Sequence, residues 1–247
     1  MVDVSRETPP GPPATPAEAR GVFPSERLSL AERYTAWLAD AGVVRGLIGP
    51  REVPRLWERH VLNCAVVNEA LPDEAFTLCD IGSGAGLPGL VLAIMRPDAA
   101  ITLVEPLLRR TDFLTEVAEN LGLSNVTVHR GRAEDLAGAQ QFDVVTSRAV
   151  APLDRLLRWS MPLVGPDGEL VAMKGSSAAE EIETHAAVLK KLRCAAPIVQ
   201  QVGAGVVDPQ TTVVRVSWAD PTRVSLPGAT RRNGSTSGKK DRRSRRR

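Results

Sequence analysis

Residues 79–90, CDIGSGAGLPGL, have the composition of a ligand-binding turn. An apolar run leads into an acidic residue, and four glycines follow within eight positions. Glycine adopts the unusual backbone angles that a tight turn between a strand and a helix requires. The stretch therefore predicts a turn whose backbone approaches a bound ligand closely.

Two motifs overlap in this stretch, and they favour different ligands. Gly84, Gly86 and Gly89 fit G-x-G-x-x-G, which places the pyrophosphate of a dinucleotide at a helix N-terminus. Asp80, Gly82 and Gly84 begin the pattern D-x-G-x-G-x-G, the motif of methyltransferases that use S-adenosylmethionine. The glycines alone leave both interpretations open.

The residues that end the predicted strands favour the second ligand. In a parallel sheet the ligand lies beyond the carboxyl ends of the strands. Those ends carry Asp80, Glu105, Glu134 and Asp135, Arg148, and Lys174. Converging acidic residues would repel a pyrophosphate but attract the sulfonium and ammonium groups of S-adenosylmethionine, and Glu105 could bind its ribose hydroxyls. We predict this cofactor, with a nicotinamide cofactor as the alternative because Glu105 would suit both.

From residue 76 onward, short apolar runs alternate with helical patterns, which is typical of a parallel sheet covered on both faces. Strands are expected near 76–81, 100–105, 125–129, 142–147, 168–173, 197–203 and 211–218. Helices are expected near 25–41, 52–70, 87–95, 107–121, 152–161 and 178–193. The last two strands leave no room for a helix between them, so they should form an antiparallel hairpin. We predict an α/β fold: the seven-stranded, Rossmann-like fold of class I S-adenosylmethionine-dependent methyltransferases, with N-terminal helices.

The charge of the chain is distributed unevenly. The net charge is +2, but residues 223–247 hold ten Lys or Arg and one Asp, so they carry +9 and the remainder carries −7. A basic tail favours contact with a polyanion such as nucleic acid, although a solubilising tail is the alternative. The predicted organisation is a disordered arm (1–24), a methyltransferase domain (25–220) made of a helical extension (25–71) and a Rossmann-like core (72–220), and a disordered basic tail (221–247).

Composition also bears on compartment and partners. No stretch approaches the roughly 20 apolar residues that a membrane span needs. Cys64, Cys79 and Cys194 are odd in number and widely spaced, which favours reduced thiols in a cytoplasmic protein. His60 and Cys64 lie four residues apart, but His129 and His185 bring no ligand spacing. We expect a cytoplasmic monomer that binds neither a membrane nor a metal.

Five segments, in this order and spacing, carry a resemblance to a known family: CDIGSGAGLPG, VEPLLRRTDFL, GRAED, SRAVAPLD and MKG. They resemble the small-subunit ribosomal RNA guanine-N-7 methyltransferases, also called glucose-inhibited division protein B, and the resemblance runs from about 25 to 218. It implies transfer of a methyl group from S-adenosylmethionine to N-7 of one guanine in the 530 loop of 16S ribosomal RNA. It carries the family's cofactor contacts to Gly82, Leu87, Ala133, Glu134 and Arg148.

The family's upstream RH and DS pairs correspond to WERHVLNC in this sequence. Arg59 and His60 match the first pair, whereas Asn63 and Cys64 stand at the second.

The residues also fit chemistry at N-7. The fourth strand is followed by SRAV and not by the N/D-P-P-Y motif that holds an exocyclic amine, which disfavours methylation of such an amine. Carbon methylation of a pyrimidine needs a cysteine nucleophile, usually after a proline, and no cysteine here follows a proline. Guanine N-7 presents a lone pair, so catalysis needs positioning and desolvation but no general base. Arg148 could donate to guanine O6 or to a phosphate.

The site prediction has three parts. The catalytic residues are Arg148 and Lys174. The cofactor-binding residues are Asp80, Gly82, Gly84, Leu87, Glu105, Ala133, Glu134 and Arg148. The RNA-binding residues are Arg59, His60, Arg231, Arg232, Lys239 and Lys240. The alternatives are a small-molecule methyltransferase of the same fold, a nicotinamide-dependent dehydrogenase and an RNA-binding module without catalysis.

Overall fold

The computed structural model describes residues 11–148 and 150–224, which form a seven-stranded sheet in the order β3-β2-β1-β4-β5-β7-β6. The strands are β1 Thr77–Ile81, β2 Ala100–Glu105, β3 Val126–Arg130, β4 Phe142–Arg148, β5 Val164–Lys174, β6 Ile198–Val202 and β7 Thr211–Ser217. β7 runs antiparallel to β5 and β6, and the remaining pairs are parallel. The predicted fold class and its antiparallel final hairpin are confirmed.

Helices cover both faces of the sheet. Successive strand residues point to opposite faces, so Leu78 and Val144 join one apolar cluster while Cys79 and Val145 join the other. The described α-helices are α1 Ala17–Val22, α2 Leu28–Trp37, α3 Asn63–Ala65, α4 Gly89–Met95, α5 Leu108–Leu121, α6 Ala133–Leu136, α7 Leu153–Ser160, α8 Ala178–Thr184 and α9 Ala186–Leu192. The helix predicted over 178–193 is thus two helices that meet at His185.

The second predicted N-terminal helix, 52–70, is irregular. Described 3-10 segments span Pro50–Arg55 and Val66–Ala70, with further 3-10 turns at Met161–Leu163 and Pro221–Arg223. The π segments span Leu38–Gly42 and Leu56–Leu62. Pro54 lies inside the first 3-10 segment and has no amide hydrogen to donate to a regular α-helix. The periodicity predicted a buried helical segment, but it could not predict that 3-10 and π turns replace a regular α-helix.

Ordered structure begins before the predicted boundary at residue 25. Helix α1 lies within the predicted arm, and its Ala19 and the following Phe23 are buried. The Phe23 ring packs edge-on against Trp57 at 6.3 Å, and the Trp57 indole donates to the Pro13 carbonyl at 3.3 Å. Residues 17–23 are therefore ordered, although disorder was predicted for 1–24. They are ordered because Trp57, distant in the sequence, packs against Phe23. The remainder of the arm, 1–10, and the tail from 225 lie outside the described residues.

The sheet order places the predicted site residues at one edge. β1 has β2 on one side and β4 on the other, so the chain reverses its direction of progress there. Ligands of open α/β sheets bind in the crevice at such a reversal, beyond the carboxyl ends of the strands. Glu105 ends β2, Arg148 ends β4 and Lys174 ends β5, so all three side chains start from this edge.

Candidate functional site

The glycine-rich turn between β1 and α4 depends on left-handed backbone angles. Gly82, Gly84 and Gly86 have φ values of +70°, +58° and +96°. The amide of Gly82 donates to the Val104 carbonyl at 2.8 Å, which bends the turn over β2. A Cβ on Gly82 would lie 2.7 Å from Val150 Cγ2. Glycine is therefore required at 82 both by the angle and by the close approach of Val150.

Asp80 lies beneath this turn. Its side chain is fully buried, and Oδ2 accepts from the Gly89 amide at 3.1 Å, at the start of α4. Its Oδ1 has no hydrogen-bond partner among the described residues. Burial raises the pKa of this carboxyl to about 7. Asp80 is placed to hold the turn against α4, and its direct contact with a cofactor stays a prediction.

A cavity of about 650 Å³, called the smaller cavity below to distinguish it from a larger cleft nearby, opens at the ends of β1, β2 and β4. Five of the predicted cofactor-binding residues line it: Gly82, Glu105, Ala133, Glu134 and Arg148. Asp80, Gly84 and Leu87 are not among its lining residues. The amide of Gly84 instead donates to Glu105 Oε2 at 3.1 Å and so helps to fix that carboxyl.

The charge of the smaller cavity differs from the predicted convergence of acidic residues. Its lining includes the carboxyls of Glu105 and Glu134 but also three guanidinium groups, those of Arg110, Arg132 and Arg148. Two of the expected acids are engaged elsewhere, since Asp80 is buried under the turn and Asp135 accepts from the Arg132 amide at 2.7 Å. The cavity therefore pairs carboxyls with guanidiniums and is not acidic overall.

Glu105 is the most enclosed acid of this cavity. Its side chain is buried, and Oε1 accepts from the Leu107 amide at 3.1 Å. Arg110 approaches Oε2 at 3.5 Å. Because each carboxylate oxygen can accept two hydrogen bonds and three are already made, one acceptor position remains on Oε1 for a hydroxyl group of a ligand.

Arg148 is held by groups from the N-terminal extension, far away in the sequence. Nη1 donates to Cys64 Sγ at 3.1 Å, and Nη2 donates to the Arg59 carbonyl at 3.3 Å and to His60 Nδ1 at 2.7 Å. Within 11–148 and 150–224 Arg148 forms no ion pair, so these partners leave its charge uncompensated by contact. Cys64, one of the two residues that depart from the resemblance in WERHVLNC, is one of these partners.

His60 contacts Arg148 through Nδ1 and Glu52 through Nε2. His60 Nε2 lies 2.9 Å from Glu52 Oε2, and the imidazole is 14% exposed. Burial, with the nearby charge of Arg148, lowers the pKa of His60 from its ordinary value, although Glu52 opposes the shift. The hydrogen bond from His60 lowers the pKa of Glu52. Glu52 was not predicted as a site residue. The only sequence signal for its contact with His60 was that the two residues lie eight positions apart in one predicted helix.

Lys174 has partners of a different kind. Its Nζ donates to Glu181 Oε2 at 2.7 Å and to the Ala151 carbonyl at 3.1 Å, and its side chain is 9% exposed. The same Glu181 oxygen accepts from the Leu153 amide at 3.1 Å. Burial acts to raise the pKa of Glu181, but the hydrogen bond and charge of Lys174 outweigh it and lower that pKa. Lys174 and Glu181 together fix the segment after β4, and a catalytic role of Lys174 stays a prediction.

A larger cleft of about 1250 Å³ lies on the other side of Arg148. It shares Arg148 and Val150 with the smaller cavity. Its charged lining residues are Arg55, Glu58, Arg59, Arg148, Lys174, Glu181 and Asp208. Asn63 also lines it and donates from Nδ2 to Thr211 Oγ1 of β7 at 2.8 Å. The extension and the last strand thus both contribute to the lining of one cleft and meet at this contact.

The remaining predicted residues are placed as follows. Arg59 lines the larger cleft, whereas His60 is not among its lining residues. Arg231, Arg232, Lys239 and Lys240 lie outside the described residues. No group of three metal-binding side chains occurs in the part of the chain that the structure describes, and no helix there is long and apolar enough to cross a membrane. The absence of a metal stays a prediction.

Comparisons with known proteins agree with this architecture. A family described as rRNA small subunit methyltransferase G matches residues 27–208. A ribosomal RNA small subunit methyltransferase G from a Nocardioides species is 61% identical over 233 residues, 94% of this chain and 91% of that protein. The protein of that name from Streptomyces avermitilis is 60% identical over 205 residues, 83% of this chain and 85% of that protein.

A solved structure shows the same fold. The S-adenosylmethionine-dependent methyltransferase from Aquifex aeolicus matches with a TM-score of 0.50 and 18% identity, and the match covers 70% of this chain and 97% of that one. At this identity the likeness concerns the fold alone.

Proposed function

The chain belongs to the rRNA small subunit methyltransferase G family, and on that premise we propose that it methylates N-7 of guanine 527 in 16S ribosomal RNA with S-adenosylmethionine. The observation that carries the proposal is the meeting of the smaller cavity and the larger cleft at Arg148 and Val150. A donor in the first and an acceptor base in the second would face each other at the ends of β1 and β4.

The smaller cavity fits S-adenosylmethionine. Its volume of about 650 Å³ lies within the range of roughly 300–1,000 Å³ that is usual for small-molecule sites. Glu105 would accept from a ribose hydroxyl, and Arg148 would bind the cofactor's carboxylate. The close approach of the turn at Gly82 lets the backbone form one side of the cavity. When bound, the cofactor supplies a methyl group that is activated by a positively charged sulfur.

The acceptor chemistry places a small demand on the protein. Guanine N-7 attacks with a lone pair and loses no proton, so no side chain has to act as a base. The protein has to exclude water and hold the base in line with the methyl group. Arg148 has donors for guanine O6 or an adjacent phosphate, and its partners in the protein leave its charge uncompensated.

The larger cleft suits a nucleotide of the RNA. A base must leave its stack to reach such a pocket, and this cleft has room for it at about 1250 Å³. Arg55 and Arg59 lie among its lining residues and would contact phosphates. The basic residues after 224 would add affinity that does not depend on base sequence. We expect the protein to act as a monomer in the cytoplasm, where small subunits are assembled.

A methylation assay tests this proposal. The protein is incubated with cofactor labelled in the methyl group and with naked 16S RNA, assembled small subunits or free guanosine. We expect label at N-7 of a single guanine in RNA or subunits, mapped by cleavage of the RNA at the modified base. Label in small molecules alone would favour a small-molecule methyltransferase, and RNA binding without transfer would favour a non-catalytic binding module.

A further inference from the structure

Arg148 reaches its position through a chain of two hydrogen bonds that starts at Glu52. Glu52 Oε2 lies 2.9 Å from His60 Nε2, and His60 Nδ1 lies 2.7 Å from Arg148 Nη2. An arginine can only donate, so His60 Nδ1 must accept and its proton must lie on Nε2. Glu52 Oε2 accepts the hydrogen bond from Nε2–H and thereby fixes the tautomer that Arg148 requires.

We propose that Glu52 and His60 are positioning residues that help to hold Arg148 between the smaller cavity and the larger cleft, and that protonation of His60 breaks its contact with Arg148. The inference rests on the proposed function for the role of Arg148, but the contact itself is independent of turnover. A protonated imidazole carries hydrogen on both nitrogens. Its Nδ1 then faces Arg148 with a donor and a like charge, so the bond between them is lost.

The charges around His60 set the direction of this switch. Arg148 from β4 and the neighbouring Arg59 disfavour the imidazolium, as does burial, whereas Glu52 favours it. The thiol of Cys64 lies one turn further on and also accepts from Arg148. Because the pKa of His60 is lowered, the neutral, bonded form prevails at neutral pH, and the contact is lost as the pH falls through that pKa.

Two substitutions of His60 separate its two nitrogens. In His60→Asn the side-chain oxygen can take the place of Nδ1 and accept from Arg148, and the residue no longer titrates. In His60→Gln the longer amide reaches toward Glu52 and leaves Arg148 without that acceptor. Glu116→Gln is a matched control, because Glu116 also pairs with an arginine between the extension and the core, Arg45, but lines neither cavity.

The readout is binding of S-adenosylhomocysteine by calorimetry between pH 5 and 8, with unfolding measured for every variant. We expect wild-type affinity to fall about tenfold below the pKa of His60, the order of one hydrogen bond to a charged group. His60→Asn should bind without that fall, His60→Gln should bind about tenfold more weakly throughout, and Glu116→Gln should follow the wild type. Glu52→Gln removes a charge that favours protonation, so its fall should move to lower pH.

Nuclear magnetic resonance of the cofactor-free protein tests the contact itself. The chain has three histidines, so His60→Asn identifies the imidazole signal of His60. We expect hydrogen on Nε2 at neutral pH and a pKa that Glu52→Gln lowers. Hydrogen on Nδ1, or His60→Gln binding as tightly as the wild type at every pH, would overturn the inference. A wild type that binds no S-adenosylhomocysteine would count against the proposed function, and the imidazole signal would still test the contact.

Discussion

Arg148 and Lys174 end neighbouring strands, but they bind partners of opposite character. Arg148 donates to an imidazole, a thiol and a carbonyl, all without charge when His60 is neutral. Lys174 donates to the carboxylate of Glu181 and to one carbonyl. The charge of Lys174 is therefore compensated within the protein, whereas that of Arg148 remains for a ligand. The difference shows that the charges of two cations at neighbouring strand ends can be compensated to very different extents.

Replacement of Arg148 should have the largest effect on activity. In Arg148→Ala we expect kcat/KM for methyl transfer to fall about 100-fold, because a charge-assisted contact with cofactor or RNA contributes up to about 3 kcal/mol. The unfolding free energy should change less, since no ion pair is broken. Steady-state kinetics and urea denaturation measure the two quantities. An equal loss in both would assign Arg148 the structural role that we give to Lys174.

Replacement of Lys174 should affect stability more than activity, the opposite of Arg148→Ala. In Lys174→Met we expect the unfolding free energy to fall by roughly 1–3 kcal/mol. Loss of the mostly buried Lys174 amine leaves the partly exposed Glu181 carboxylate without its partner. kcat/KM should fall less than in Arg148→Ala. Adding Glu181→Gln to Lys174→Met should cost little more, which a double-mutant cycle detects. If turnover were lost with stability intact, Lys174 would be catalytic, as its position in the sequence first suggested.

The same contrast separates two carboxyl groups, Glu105 in the cavity lining and Asp80 beneath the turn. In Glu105→Gln we expect the dissociation constant for S-adenosylhomocysteine to rise about tenfold, the effect of weakening a charged acceptor. In Asp80→Asn we expect a smaller rise, since the amide oxygen can still accept from Gly89. Calorimetry compares them directly. A larger loss in Asp80→Asn would show that Asp80 acts on the ligand and not on the turn.

Asp80 should also make the stability of the protein depend on pH. Its pKa is raised by burial to about 7, so between about pH 4 and pH 7 the folded protein binds a proton that the unfolded chain releases. Stability from this group is therefore present at low pH and lost as the pH rises. Relative to Asp80→Asn, the wild type should lose about 2.5 kcal/mol between pH 5 and pH 7.5, measured by urea denaturation. Equal slopes for the two proteins would mean that Asp80 is ionised throughout.

The alternating core could be predicted from the sequence because its signals are local. Apolar runs, glycines and strand spacing define the strands and the turn at 82–86 without knowledge of distant residues. The same locality explains the cavity residues Glu105, which ends β2, and Glu134, which lies in the short helix α6 soon after β3. It also explains why the cavity charge was misjudged, since whether Asp80 faces a ligand or an amide depends on packing.

The partners of Arg148 could not be predicted in the same way. His60 lies 88 residues before it, and no pattern in the sequence connects the two. The disorder predicted for residues 1–24 is wrong at α1 and Phe23 for a related reason, because Trp57 lies far from Phe23 in the chain. Interactions between the extension and the core are long-range, and composition within a short window carries no information about them.

The contact between Asn63 and Thr211 has a consequence for the order of synthesis. These residues are 148 positions apart, and Glu69 in the extension likewise accepts from the Gly203 amide. During translation the extension emerges well before β7, so long-range pairing delays completion of the fold. A nascent or prematurely terminated chain that lacks β7 cannot close the larger cleft. An enzyme that acts on ribosomal RNA thereby stays incomplete until β7 has left the ribosome that makes it.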